Sequence, residues 1–270
     1  MKIEVLLSCM NQKDFSITEK MNLTTDILIV NQCDENKYEE RIVNGKKQRM
    51  IYTTQRGLSH SRNELLNNMK GDVGILCDDD VIYEKDYEEK IKKAYAELDA
   101  DIIVFEVKVT RKGYDKNQST TTTKEKKYKI SFSHKYYTST RITFRKESIY
   151  KRNIWFNVNF GAGSKYSSGE EALFIREARN KNLKIVECFE KIANVNHNIS
   201  TWFKGYDEKY FYDKGAWLKE VYPNIYFIFK WYFILKFGEQ NFKKMYEINK
   251  WIKKGILGYI KKLSYDEVES

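Results

Sequence analysis

Gly74-Ile75-Leu76-Cys77 is an apolar run that stops abruptly at three carboxylates, Asp78, Asp79 and Asp80. Like charges so close repel one another, and crowding raises the pKa of at least one of them. A hard divalent cation relieves that repulsion, and carboxylate oxygens are the ligands that Mg²⁺ or Mn²⁺ takes. The same three residues also suit a solvated turn that caps a following helix, because Asp is a good N-cap. A second acidic pair, Glu170-Glu171, opens a helical pattern after a segment holding Gly161 and Gly163. There the helix dipole alone favours negative charge. One acidic cluster able to hold a metal, and another able to accept a proton, are the parts of a metal-assisted group transfer.

The elements that must carry these residues can be read in order. Lys2–Met10, Asp26–Val30, Arg49–Thr53, Val73–Cys77 and Asp101–Phe105 are apolar runs without strict alternation. Such runs suit strands covered on both faces, as in a parallel sheet. Ser59–Met69 reads as a helix, with Ser59 as N-cap and Gly71 as stop, and Tyr83–Leu98 as another, with Ile91, Tyr95 and Leu98 on one face. Alternating strands and helices predict an α/β fold with right-handed crossovers. Ligands bind such sheets beyond the carboxyl ends of the strands. That edge is predicted to hold Asn11-Gln12, Asn31 to Asp34, Thr54-Gln55-Arg56 and Asp78 to Asp80, so the acidic triplet falls on it. Thr110–Lys127 is polar and rich in Thr and Lys, and reads as an exposed excursion. Tyr128–Phe132 and Ser139–Arg145 read as strands, Asn157–Ser168 as a loop, Glu170–Asn182 as a helix and Lys184–Phe189 as a strand.

Bulk properties narrow the function classes. A chain of 270 residues with 41% hydrophobic and 15% aromatic content buries a real core, which excludes wholesale disorder. The net charge of +10 points to an anionic partner. Cys9, Cys33, Cys77 and Cys188 show neither zinc spacing nor a disulfide framework, and read as free thiols in a reducing compartment. Met1–Met10 lacks the features of a signal peptide, so a cytoplasmic protein is expected. The G-x-G-x-x-G and G-x-x-x-x-G-K-[ST] phosphate loops are absent, which argues against Rossmann oxidoreductases and P-loop kinases.

Four landmarks taken together carry a resemblance. Gly57-Leu58-Ser59-His60-Ser61-Arg62-Asn63 precedes the Asp78-Asp79-Asp80 strand end by about one helix, and Ile154-Trp155-Phe156-Asn157 precedes Gly169-Glu170-Glu171 with Phe174. In order and spacing, residues 1–200 resemble the family 2 glycosyltransferases of the glycosyltransferase-A fold, of the bacterial capsular and surface polysaccharide type. The resemblance implies a mostly parallel central sheet flanked by helices over 1–200, with a basic, aromatic helical region over 201–270. It implies an inverting, metal-dependent transfer of a sugar from a nucleotide-diphosphate donor, UDP-linked, to a hydroxyl of a glycan or lipid-linked oligosaccharide. Asp78 and Asp80 match the family's D-x-D. Asp80 then binds Mn²⁺ or Mg²⁺, and Asp78 lies near the ribose or the metal. Asp79, Asn31, Asp34 and Arg62 belong to the donor-binding set, Asp34 near the nucleobase. Glu171 falls where the family has the Asp of a Glu-Asp pair. This replacement leaves either Glu171 or Glu170 as the general base. His197 falls where some enzymes of this fold place a metal ligand.

Two other classes share parts of this pattern. A nucleotidyltransferase also pairs strand-end acids with metal. A basic protein with many aromatics could stack on single-stranded nucleic acid. Against the latter, the charge is concentrated at the C-terminus, and the triplet repels phosphate, so no nucleic acid partner is expected. From Ile225 to Leu263 there are nine Lys and two Glu. Residues 225–237 are strongly apolar, yet as a helix they span only ~20 Å, less than the ~30 Å hydrocarbon core. Trp251, Ile252, Ile256, Tyr259, Ile260 and Leu263 share one helical face. Region 225–263 therefore fits either a peripheral contact with an anionic membrane or a helical pair packed on its own domain.

Overall fold

The structure is a computed structural model that describes residues 1–110, 127–131, 137–196 and 205–269. In chain order it contains β1 (Ile3–Met10), β2 (Asp26–Gln32), β3 (Lys37–Val43), β4 (Lys46–Thr53), α1 (Leu58–Asn68), β5 (Val73–Cys77), β6 (Val81–Tyr83), α2 (Tyr87–Glu97), β7 (Ile102–Thr110), β8 (Tyr128–Ile130), β9 (Ile142–Arg145), α3 (Lys146–Lys151), α4 (Glu170–Asn180) and β10 (Ile185–Asn196). The helices α5 (Glu208–Val221), α6 (Tyr226–Gly238), α7 (Phe242–Lys261) and α8 (Asp266–Glu269) follow. The chain divides into two compact units, Met1–Asn157 with Glu171–Ile199, and Val158–Glu170 with Ser200–Ser270.

The first unit is built on one mixed sheet in the order β3-β4-β2-β1-β5-β9-β7-β10-β6, with β8 on β10. The strands β4, β2, β1 and β5 run parallel, as the expected α/β fold requires, whereas β9 lies antiparallel between β5 and β7. Successive residues of each apolar strand feed two separate cores. Val5, Leu7, Ile27, Ile29 and Ile75 face one layer, while Leu6, Leu28, Val30 and Leu76 face the other. That two-sided burial explains why these strands read as unbroken apolar runs. Three strands differ from expectation. β3 forms an edge hairpin with β4, and its sequence, Lys-Tyr-Glu-Glu-Arg-Ile-Val, is exposed, which is how an edge strand avoids pairing with other chains. The short β6 follows the acidic triplet directly and delays α2 to Tyr87. β10 extends to Asn196, with register shifts along β7 between Glu187 and Ala193. Cys9, Cys77 and Cys188 are buried free thiols, and Cys33 is half-buried.

One buried ion pair ties the base of the sheet. Glu4 and Arg49 are 1% and 3% exposed and meet at 2.8 Å. Glu4 also accepts from the amides of Lys70 (2.6 Å) and Gly71 (2.9 Å), and Arg49 donates to the Asn68 carbonyl at 2.9 Å. Removing one partner leaves the other charge buried. Glu4→Ala is therefore expected to cost about 3–5 kcal/mol of stability in a urea melt; a loss below 1 kcal/mol contradicts this reading of the pair.

In the second unit, α5 and α7 cross at backbone contact. A Cβ on Gly215 would strike the carbonyl of Ile252, and one on Gly255 would strike the carbonyl of Tyr212. The face of α7 bearing Trp251, Ile252 and Ile256 is consumed by this packing, at 3%, 0% and 5% exposure. These three side chains, read from the sequence as a candidate membrane face, are thus core of the unit. The segment Val158–Glu170, placed by the sequence in the 1–200 half, groups with these helices. Phe160 and Tyr166 pack against Tyr259, and the Ser167 amide donates to Asp213 at 3.0 Å.

Candidate active site

The parallel register brings the ends of β1, β2, β4 and β5 to one edge. Cys9 lies beside Asn31, Asn31 beside Tyr52, and Leu7 beside Cys77. Each polar residue beyond these ends has a distinct task. Asn31 is fully buried. Its amide donates to the Gln12 carbonyl at 2.7 Å, and its oxygen accepts from the Gln12 amide at 3.0 Å. It shapes the turn leaving β1, where Asn11 adopts φ 53°. Both polar groups of the side chain that the resemblance assigns to donor binding thus serve this turn. Asp34 is almost fully exposed and pairs with Arg56, which also donates to the Cys33 carbonyl at 3.0 Å. The next residue, Gly57, is the N-cap of α1, and its φ of 110° is a conformation that side chains disfavour. Its amide donates to the Gln32 side chain at 2.8 Å. The helix thus starts one residue before the expected cap Ser59, which is buried inside it.

The centre of the site is Arg62. It is 2% exposed, and its two terminal nitrogens meet different carboxylates. One donates to Glu171 Oε1 at 3.0 Å, and the other lies 3.5 Å from Asp78 Oδ1. Both acidic sites inferred from the sequence therefore converge on one guanidinium. A fixed, always-charged fork suits that task better than a lysine does. The second oxygen of Asp78 accepts from the Ser139 hydroxyl at 2.6 Å. Glu171 is placed by a clamp between α1 and α4. The Asn63 side chain bonds both main-chain groups of Phe156, at 2.9 and 2.8 Å. The Phe156 ring stacks on Phe174 of α4 with centroids 4.4 Å apart and planes within 9°. The Arg62 guanidinium stands over the same ring at 5.4 Å. Neither the Ser139 contact nor the Phe156 clamp is legible in the sequence.

Asp79 is exposed, and its carboxyl is pushed above its ordinary pKa, first by partial loss of hydration and second by the Asp78 charge. A raised native pKa means that the folded chain holds this proton more tightly than the unfolded chain. The resulting stabilisation is present in acid and is lost as pH rises through the ordinary carboxylate range. Asp79→Asn is therefore expected to raise the melting temperature at pH 7 in chelator, and to give no gain at pH 3. Equal gains at both pH values contradict this sign.

The residues present fit a divalent metal in chemical type. Asp78 and Asp80 are hard oxygen donors at a strand end, both partly accessible. Mg²⁺ and Mn²⁺ sites of this kind use one or two carboxylates and take their remaining ligands from phosphates and water. Among the described residues no three His, Cys, Asp or Glu side chains form a group able to hold an ion. The Asp80 carbonyl accepts from the Asn196 amide at 3.1 Å. His197, the next residue, lies outside the described residues, as does most of the Thr110–Lys127 excursion. Glu170, the alternative base, is 5% exposed, whereas the Glu171 side chain retains 21%.

A strand-end acidic cluster beside a second carboxylate, on a mixed sheet flanked by helices, fits the glycosyltransferase-A architecture. The profile of the family described as Glycosyl transferase family 2 matches residues 3–163, and the chain belongs to that family. Among solved structures, Staphylococcus aureus TarS 1-349 in complex with UDP-GlcNAc is similar at TM-score 0.60 and 16% identity, covering 82% of this chain and 66% of that one. The crystal structure of S. aureus TarS is similar at TM-score 0.56 and 15% identity, covering 82% of this chain and 40% of that one. This chain thus spans less than two thirds of the length of either, and at such identity the likeness establishes the fold alone. No curated protein matches.

Proposed function

We propose that the protein is a metal-dependent, inverting glycosyltransferase that moves a sugar from a UDP-linked donor to a hydroxyl of a surface glycan or a lipid-linked oligosaccharide. The observation that carries the proposal is the Arg62 bridge between Asp78 and Glu171. It ties a carboxylate of the donor-binding edge to one that can act as base. Asp80 and Asp78 are the residues that hold Mn²⁺ or Mg²⁺, with His197 as a further candidate ligand. Asp34, Asp79 and Arg62 attend the nucleotide, and Asn31 keeps the β1 turn in shape beside it. A bound cation offsets the negative charge that grows on the diphosphate leaving group. Glu171 takes the proton from the acceptor hydroxyl as that oxygen attacks the anomeric carbon from the side opposite the diphosphate, which inverts the centre. Arg62 orients Glu171 through their 3.0 Å contact. The exposure of Glu171 and the burial of Glu170 favour Glu171 for this role. UDP as the nucleotide is supported by the fold shared with TarS, solved with UDP-GlcNAc.

No described helix is long and apolar enough to cross a membrane. A lipid-linked acceptor places the enzyme on the inner face of the cell membrane as a peripheral protein. The test of the donor is a thermal-shift panel of UDP-, GDP- and dTDP-sugars, each with and without Mn²⁺. A ligand of the native state raises the melting temperature by mass action. The expected result is a shift with UDP-sugars that depends on Mn²⁺. A shift with GDP- or dTDP-sugars alone overturns the UDP assignment, and no shift with any donor overturns the proposal.

A further inference from the structure

The packing of the second unit leaves one apolar surface outside its core. Phe227, Ile228, Trp231, Tyr232 and Leu235 of α6 are each more than half exposed. Their spacing of one, three or four residues gathers them into one stripe of the helix. An apolar stripe of this kind on a protein surface marks an interaction site. The helix is 13 residues, or ~20 Å, so it lies along a surface rather than through a bilayer.

Charge indicates what covers it. The stripe holds no acid. Its cations sit against its rings, with Lys230 5.2 Å from the Trp231 centroid and Lys236 5.6 Å from that of Tyr232. In the neighbouring α7, Lys243, Lys250 and Lys253 are exposed beside Phe242, Tyr246, Leu257 and Ile260, which are also exposed. The acids of region 225–263 are Glu239 and Glu247, and they pair with Lys244 at 2.8 Å and Lys250 at 3.4 Å. With nine lysines against two acids, the region keeps an excess of positive charge that suits an anionic partner. Trp and Tyr among aliphatic side chains, with Lys230 and Lys236 against the rings, match the headgroup level of an anionic bilayer, where amphipathic rings lie between apolar tails and water.

We propose that the α6 stripe is the membrane-docking surface of this protein, and that it seats in the headgroup region of anionic lipid with the α7 lysines above it. The proposal deepens the functional reading by giving the lipid-linked acceptor a surface to sit on. It rests on that reading for its purpose, and fails or stands separately from it. The test is co-sedimentation of the full chain with vesicles of phosphatidylcholine, with or without about one third phosphatidylglycerol. The expected result is binding to the anionic vesicles, weakened by high salt. The double variant Trp231→Glu with Leu235→Glu is expected to lower the partition coefficient at least ~tenfold. Its melting temperature and its donor-induced shift should match wild type, which shows that the unit still folds. Wild-type protein that stays in the supernatant overturns the proposal, as does a variant that binds vesicles equally well. A wild-type dimer that the double variant converts to monomer, without vesicle binding, also overturns it and assigns the stripe to a second copy. Vesicle binding without any response to donor sugars leaves this proposal standing and removes the glycosyltransferase reading instead.

Discussion

Asp80→Ala is expected to abolish transfer, with kcat/KM falling by about 10²–10³. Charge neutralisation by a metal is worth several kcal/mol in the transition state, and each 1.4 kcal/mol is a factor of ten. The substitution takes away one carboxylate of a site that has few, and removes the means of offsetting charge on the diphosphate. The Mn²⁺-dependent part of the donor-induced thermal shift should disappear with it. The fold should not suffer, because Asp80 is half-exposed at the end of a strand and its carbonyl, which accepts from Asn196, is untouched. Relief of repulsion with Asp79 and Asp78 works in the same direction, so a melting temperature at or slightly above wild type is the expected control. A variant that keeps both its activity and its metal response sinks the assignment of the triplet.

Glu171→Gln is expected to lose about 10²–10⁴ in kcat while binding donor as well as wild type does, since that is the usual contribution of a positioned base. Gln preserves size and keeps an oxygen for the Arg62 contact at Oε1, so the clamp on α4 stays intact. What it cannot do is accept a proton. The split between binding and turnover is the informative readout. If transfer survives in Glu171→Gln and fails in Glu170→Gln, the base is the buried neighbour, and Glu171 only orients Arg62.

The fold of the first unit was largely readable because β1, β2 and β5 are buried on both faces, and burial of that kind leaves an apolar run. β3 is not legible for the opposite reason: an exposed edge strand carries the charges of a loop. The acidic triplet could be placed at a strand end, and from there on the ligand edge, by topology alone. The Arg62 bridge could not. Arg62 and Glu171 are 109 positions apart, and their contact depends on the Asn63–Phe156–Phe174 clamp, whose parts are scattered and individually ordinary. Asn31 shows a related limit, since a polar residue at a strand end can face a ligand or serve the turn, and its type does not say which. In the second unit, periodicity identified an apolar face on α7 but not its partner. The glycines that let α5 approach decide that Trp251, Ile252 and Ile256 are core, while Ile260 of the same face and the α6 stripe stay exposed.

The most direct measurement of the central claim is release of UDP from the UDP-sugar giving the largest thermal shift, with Mn²⁺ or with chelator, in wild type and in Glu171→Gln. The account predicts release that requires the metal and falls at least ~100-fold in the variant, while the donor still raises the melting temperature of both. Release that ignores the chelator and is equal in the two proteins would contradict it.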